Sequence, residues 1–239
     1  MRRSHNVQSQ CRDAIPNTII SLLPPARLTI APDFSLPHLM VPSLMAFQVP
    51  LLLDDNLAYL TDGSLVPAKP DRYHGARHSQ LEPALRKQLN KLIMPSLDCK
   101  RPVAPNFFIE ATGHYGSVPV AIRQACYDGA LGARAMHTLQ QFADGGRCRY
   151  DNKAYTIVCT YHMGQLGIYV THPTESRNQG RSTDYVMTQV WRWSLDVSPE
   201  LYQQGLAAYR NARDLAKEFR DDFIRQANGR FTASQKECS

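Results

Sequence analysis

The feature that most constrains this chain is an apolar run that ends in a single carboxylate. Phe107, Phe108 and Ile109 come directly before Glu110. A carboxylate is costly to bury in an apolar strand unless a partner or a metal ion compensates its charge. Side chains alternate along a strand, so Glu110 shares a face with Phe108 and lies opposite Ile109. This run predicts a buried strand over 106–111 that carries one carboxylate into a site.

The remaining periodicity predicts three helices and several strands. Apolar residues recur at helical spacing in the helices, whereas short apolar runs bounded by turn residues indicate strands. The predicted helices are 79–93, 118–142 and about 199–228, and the further predicted strands are 155–161, 165–171 and 185–193. Extended runs at 57–60 and 65–66, joined by a turn at Asp62 and Gly63, would bring Asp71 just past a strand end. This succession favours a mixed α/β (α+β) sandwich with a long amphipathic C-terminal helix over a doubly wound parallel sheet.

Length and composition are those of one folded domain. The chain has 239 residues, of which 43% are hydrophobic, and this is enough for one substantial core. We expect a poorly ordered, proline-rich leader over 1–54 without an assigned function, a folded domain over 55–230 and a tail over 231–239. The net charge of +6 permits an anionic partner such as nucleic acid, although acidic residues are also numerous and no long basic block is present.

The sequence predicts neither secretion nor a membrane span. The six cysteines include no Cys-x-x-Cys pair and no zinc-like grouping with histidines, which favours reduced thiols in the nucleus or the cytoplasm. Pro37, Pro42 and Pro50 interrupt the uncharged stretch 35–53, and the basic N-terminus is followed by polar residues rather than by the apolar run of a signal peptide. We therefore expect an intracellular protein, and no pattern indicates its oligomeric state.

Three segments resemble a fungal protein family whose core is similar to PD-(D/E)XK, or restriction-endonuclease-like, nucleases. They are 69–71, 105–113 and 123–134, the last of which reads Arg-Gln-Ala-Cys-Tyr-Asp-Gly-Ala-Leu-Gly-Ala-Arg. The resemblance covers about two-thirds of the chain, and the middle segment is the most specific. It implies a mixed central sheet flanked by helices, metal-dependent DNA cleavage as the ancestral activity, and DNA as the partner.

The resemblance also implies a site. In such enzymes a divalent cation, Mg²⁺ or Mn²⁺, neutralises the phosphate and activates a water, and it prefers carboxylate and carbonyl oxygens. The matching ligands here are the carboxylates of Asp71 and Glu110 and the backbone carbonyl of Ala111. Thr112 replaces the catalytic lysine, and Gln124 matches a helix position that supports the metal site and the DNA. Losing one preorganised donor costs about 10²–10³ in rate, so we expect a weakened or lost activity.

Alternatives stay open on the sequence alone. Asp71 follows a proline and is of a type common in turns and caps. Gln124 could cap a polar edge of the sheet and Tyr127 could be ordinary core. The candidates to replace the missing lysine from elsewhere in the chain are Lys69, Lys100, Lys153 and Arg123. The alternative function is a non-catalytic module that binds nucleic acid or protein on the same fold.

Overall fold

The computed structural model of the chain describes residues 56–60, 69–176 and 182–237. In chain order the elements are β1 (Arg72–Ala76), α1 (Pro83–Ile93), β2 (Val103–Thr112), α2 (Val118–Ala143), β3 (Thr156–His162), β4 (Gln165–Glu175), β5 (Thr183–Ser194) and α3 (Pro199–Glu237). The predicted helices and strands from residue 79 onward are all present. The predicted leader 1–54, the predicted turn at Asp62 and Gly63 and the predicted strand 65–66 lie outside the described residues. Residues 56–60 contain no strand, so the predicted strand 57–60 is wrong, and β1, which the periodicity did not predict, begins directly after Asp71.

The strands form one five-stranded mixed sheet in the order β1-β2-β3-β4-β5. β2 and β3 are parallel, and the other neighbouring strands are antiparallel. A parallel pair needs a crossover connection, which α2 supplies. β3 and β4 are joined by a tight turn, in which Met163 and Gly164 both have a positive φ. β2 therefore lies between β1 and β3, with α2 leading from its C-terminal end.

Helices cover both faces of the sheet. On one face, Phe107 and Ile109 of β2 pack in an apolar cluster with α3, and on the other face Phe108 packs with residues of α2. This confirms the predicted alternation of Phe108 and Ile109. A further cluster joins α1, the C-terminal half of α2 and α3. The fold is a mixed α/β arrangement with the long C-terminal helix that the sequence predicts.

Two helix ends differ from the prediction. α1 begins at Pro83 rather than at residue 79, and His78–Gln80 form a separate 3₁₀ turn. Proline suits the first turn of a helix, because it has no N–H to donate and its backbone angle is already fixed. α3 continues to Glu237, past the predicted end near residue 228, so residues 231–237 are helical rather than part of a tail. The apolar stripe of α3 stops several residues before the C-terminal end of the helix, because the last turns are largely exposed and do not pack on the core.

α2 lies close against the sheet because glycines face it. A Cβ on Gly132 would stand 2.6 Å from Cε2 of Phe108 and 3.1 Å from the carbonyl oxygen of Pro105. A Cβ on Gly129 would collide with Thr171. Only glycine permits this approach, and it places this turn of α2, together with Asp128 directly before Gly129, on β2 and its neighbours.

A buried polar network fixes α3 to the sheet. Asn106 of β2 is fully buried, and its Nδ2 donates hydrogen bonds to the carbonyls of Tyr155 at 2.9 Å and Ala216 at 2.6 Å. Arg220 of α3 is also buried and donates from Nη1 to Oδ1 of Asn106 at 2.7 Å. The three bonds connect β2, the start of β3 and α3, so the network sets their relative positions.

Candidate functional site

The candidate site lies where β2 runs past β1. The pairing of β1 with β2 reaches only to Arg72 opposite Ile109, and the last residues of β2 pair with β3 alone. Asp71, directly before β1, meets this free edge of β2 with its side chain. Its Oδ2 accepts a hydrogen bond of 2.7 Å from the N–H of Ala111. The structure thus brings Asp71 to the residue that follows Glu110.

The backbone of Ala111 offers an oxygen on the same side. The N–H and C=O of one strand residue point in the same direction, as the paired bonds of an antiparallel ladder require. The N–H of Ala111 points to Asp71, so its carbonyl points toward that side and away from β3. This orientation fits the ligand role that the sequence predicts for the Ala111 carbonyl.

Glu110 is buried although its side chain is an acid. It is 3% exposed, and among the described residues no donor lies within hydrogen-bonding distance of its Oε1. An unpaired buried carboxylate costs far more than a satisfied one. The position therefore disfavours an ionised Glu110 unless a cation or a proton compensates its charge.

Asp128 of α2 brings a second buried acid to the same place. It is 1% exposed, and none of the described N–H or hydroxyl groups donates to either of its oxygens. It lies one turn after Ala125, which packs against Phe108 on the Glu110 face of β2, and the charges of Glu110 and Asp71 raise its pKa. Two ionised carboxylates cannot donate to each other, so Glu110 and Asp128 share a hydrogen bond only when one proton lies between them.

Burial and like charge raise the pKa of both buried acids. Burial raises the pKa of Glu110 from 4.5 to about 7, and the charge of Asp71 adds to the rise, whereas hydrogen bonds with Asp128 and Asp71 oppose it. Burial, the hydrogen bond with Glu110 and the charges of Glu110 and Asp71 hold the pKa of Asp128 well above its usual range. Strongly shifted acids in contact are typical of functional sites.

The substitution Glu110→Gln is expected to stabilise the cation-free chain more as the pH rises from 4.5 to about 7. Below pH 4.5 Glu110 is protonated in both states, so the variant and the native chain differ little. Above it the unfolded state releases the proton while the folded state keeps it, so the native chain loses at Glu110 stability that the variant keeps. The difference in unfolding free energy should reach about 2–3 kcal/mol at about pH 8.

Urea unfolding of both chains in EDTA, across this pH range, measures the difference. Buried histidines have the opposite slope, because burial lowers the pKa of His74 to about 4 and also lowers those of His137 and His172. They are common to both chains and cancel in the comparison. A difference that stays constant between acid and alkaline pH would contradict the assignment of Glu110 as a buried ionising acid.

The structure pairs Thr112, which the resemblance would align with a lysine, with a histidine. Thr112 stands opposite His162 in the parallel register of β2 and β3, and its Oγ1 lies 2.7 Å from Nδ1 of His162. Residues two apart in a strand share a face, so Thr112 lies on the same face as Glu110. His162 thus brings an imidazole to the position from which a lysine would act.

The other helix residues predicted for the site lie outside this cluster. Gln124 is exposed, one helical turn before Asp128 on the same side of α2. Tyr127 is partly buried against the cluster that contains Phe108, which is the packing role considered above. Arg123 is exposed on α2. Among the described residues no hydrogen bond joins Gln124 to the acids, so its role stays a prediction from the resemblance.

The lysine candidates differ in their distance from the site. Lys69 is exposed and precedes Asp71 by two positions, so it lies at the same end of the sheet. Lys100 and Lys153 precede the N-terminal ends of β2 and β3, whereas Glu110 lies near the C-terminal end of β2. The run from Val103 to Glu110 spans about 23 Å at the rise of an extended strand. Lys100 and Lys153 are therefore too far from Glu110 to replace the missing lysine.

The residues at this edge fit a divalent cation. Hard cations prefer carboxylate and carbonyl oxygens, and the edge offers Asp71, Glu110 with its unpartnered Oε1, and the carbonyl of Ala111. Within the described ranges, no three His, Cys, Asp or Glu side chains form a ready group of metal ligands. A cation here would be held by two carboxylates, the backbone carbonyl and water.

Sequence reasoning gave no site role to Asp128 or His162. The signal for Asp128 was available: a single acid stands among the small residues of α2 that face the sheet, between Ala125 and Gly129. The signal for His162 was weaker, because this residue reaches the site only if β3 is the parallel neighbour of β2. Only the register shows that it stands beside Thr112.

In the part of the chain that the structure describes, no helix combines the length and the apolar character needed to cross a membrane.

Comparison of the chain with protein-family models, with curated proteins and with solved structures finds no match. The basis for a functional proposal is therefore the geometry of the acids at the end of β2, together with the resemblance of the three sequence segments.

Proposed function

We propose that this chain is a nuclease-like domain whose ancestral activity is metal-dependent cleavage of phosphodiester bonds in DNA. The observation that carries the proposal is the meeting of Asp71, the backbone of Ala111 and the buried Glu110 at the end of β2. A bound Mg²⁺ or Mn²⁺ would neutralise phosphate charge and lower the pKa of its water. The chain's own part is to orient the ligands, since Ala111 fixes Asp71 and burial restricts Glu110.

The arrangement of the strands supports a restriction-endonuclease-like fold. One acid precedes β1, the next lies near the C-terminal end of the antiparallel neighbour β2, and a helical crossover leads to the parallel strand β3. This order brings the two acids of the resembling segments to one edge of the sheet. We extend the proposal to this fold on that basis.

The proposed activity is weak because the site has little positive charge. Thr112 supplies a hydroxyl where the resembling family has a lysine, and that hydroxyl is bonded to His162. Negative charge that develops on a phosphate would have no preorganised ammonium at this position. Of the lysines proposed as replacements, the exposed Lys69 is the one that lies at the same end of the sheet as the site.

A non-catalytic module that binds nucleic acid or protein is the second candidate. The observation that favours it is the bond between Thr112 and His162, which satisfies the position that catalysis would need. Trp191 on the edge strand β5 is 40% exposed, with its ring 5.7 Å from that of the buried Trp193, and it is a further contact point for a partner. DNA binding that is equal with and without metal, and equal in Glu110→Ala, would favour this candidate.

Calorimetric titration of the EDTA-treated chain with Mn²⁺ tests the proposal. We expect the native chain to bind the ion, and Glu110→Ala to weaken the binding by at least about 10-fold, because it removes a ligand. Glu175→Ala is the matched control, since this exposed glutamate ends β4, away from the site. Native affinity in Glu110→Ala, or no binding by the native chain, would overturn the metal site.

A further inference from the structure

Asp128 is the buried acid for which the packing of the fold supplies no reason. It lies on the face of α2 that approaches the sheet, beside Gly129, and is 1% exposed. Neither of its oxygens accepts a hydrogen bond from a described N–H or hydroxyl group. Burying a polar group in this state costs free energy, so a purely structural position would favour an apolar residue.

Asn106 shows how the same fold treats a structural polar residue. Its amide is fully buried, donates to two carbonyls and accepts from Arg220. Every polar atom of that side chain is satisfied. Asp128 lies at a similar depth and has none of these bonds, so the two positions serve different purposes.

The neighbours of Asp128 are the two acids of the proposed cation site. Glu110 lies on the Phe108 face of β2, and α2 packs on that face through Ala125, one turn before Asp128. The charges of Glu110 and Asp71 both raise the pKa of Asp128. Oε1 of Glu110 likewise has no donor among the described residues. Among the described residues, the carboxyl groups of Glu110 and Asp128 are therefore the partners available to each other.

We infer that Asp128 is the positioning residue of the cation site: from α2 it holds the carboxyl group of Glu110, and through Glu110 it sets the affinity for the cation. The inference rests on the proposed function, because it assigns Asp128 a task in that same site. Side chains that orient metal ligands typically change metal affinity 10- to 100-fold when removed. Asp128 lies deeper than the edge of the sheet, which agrees with a role through Glu110 rather than as a further ligand.

The substitutions Asp128→Ala and Asp128→Asn separate this role from packing. Alanine removes the polar group that holds Glu110, whereas asparagine keeps its size and supplies an N–H that can donate to Glu110. We expect Mn²⁺ affinity to fall about 10- to 100-fold in Asp128→Ala and to stay within about 3-fold of native in Asp128→Asn. Calorimetric titration of the EDTA-treated full chain measures both affinities.

The matched control is Asp144→Ala. Asp144 is exposed and directly follows the C-terminal end of the same helix, so the variant loses the same type of side chain away from the site. Asp128→Leu serves as a second apolar variant if Asp128→Ala does not fold, since it fills the volume without a polar atom. Circular dichroism before each titration establishes that the variant is folded.

The outcomes distinguish the inference from the proposed function. Native Mn²⁺ affinity in Asp128→Ala, with lost affinity in Glu110→Ala, would overturn the role of Asp128 and leave the metal site intact. Equal loss in Asp128→Asn and Asp128→Ala would also overturn it, because a polar partner for Glu110 would then not be what matters. Absence of Mn²⁺ binding in the native chain would overturn the proposed function itself. Loss in Asp128→Ala with retention in Asp128→Asn supports the inference.

Discussion

The substitution Thr112→Lys is expected to raise magnesium-dependent nicking of plasmid DNA by about 100-fold over the native chain. Thr112 lies on the same strand face as Glu110, two residues further along β2, so a lysine there would extend over the acids. Its ammonium would supply the positive charge that the site lacks. The bond to His162 would be lost, at a cost of about 1 kcal/mol, which the fold should tolerate.

Plasmid nicking with Mg²⁺ and with Mn²⁺ measures this gain. The double variant Thr112→Lys/Glu110→Ala is expected to lose it, because the cation would lose a ligand. Thr232→Lys adds the same charge at an exposed position near the end of α3 and controls for stronger DNA attraction in general. Equal gains in Thr112→Lys and Thr232→Lys, or a gain that persists without Glu110, would count against a nuclease centre. If no variant cuts DNA, the binding module becomes the better account.

The substitution Asn106→Leu is expected to lower the free energy of unfolding by about 3–5 kcal/mol. Leucine cannot make the bonds to the carbonyls of Tyr155 and Ala216 or accept from Arg220. The guanidinium of Arg220 would then remain buried, with its nearest carboxylate oxygen on Asp221 at 3.9 Å. An uncompensated buried charge is the largest part of the loss.

Thermal unfolding is expected to show this as a fall in Tm of about 10 °C or more. Asn211→Leu on the exposed face of α3 is the matched control and should change Tm little. The double variant Asn106→Leu/Arg220→Leu should recover part of the loss, because it leaves no unpaired buried charge. A double variant as unstable as the sum of both single variants would show that the two residues are not coupled.

From residue 79 onward the sequence determined the elements and the direction of the key side chains, whereas β1 was not predicted. The helical spacing of apolar residues predicted the three α-helices of the described ranges, and strand alternation placed Glu110 on the Phe108 face and Ile109 on the other. These properties are local, because the period of a helix or a strand is written in neighbouring residues. The C-terminal end of α3 was not predicted, because its last turns are exposed and carry no apolar stripe although their backbone is still helical.

Only the tertiary structure decided which residues meet at the end of β2. Asp71 contacts the backbone of Ala111 because β1 starts one residue later and pairs antiparallel with β2. Asp128 reaches Glu110 because glycines let α2 lie directly on the sheet, and His162 reaches Thr112 because β3 is the parallel neighbour. Each meeting depends on register and on the closeness of packing between distant segments. Local periodicity carries no information about either, so the sequence supplied the acids and the fold assembled them.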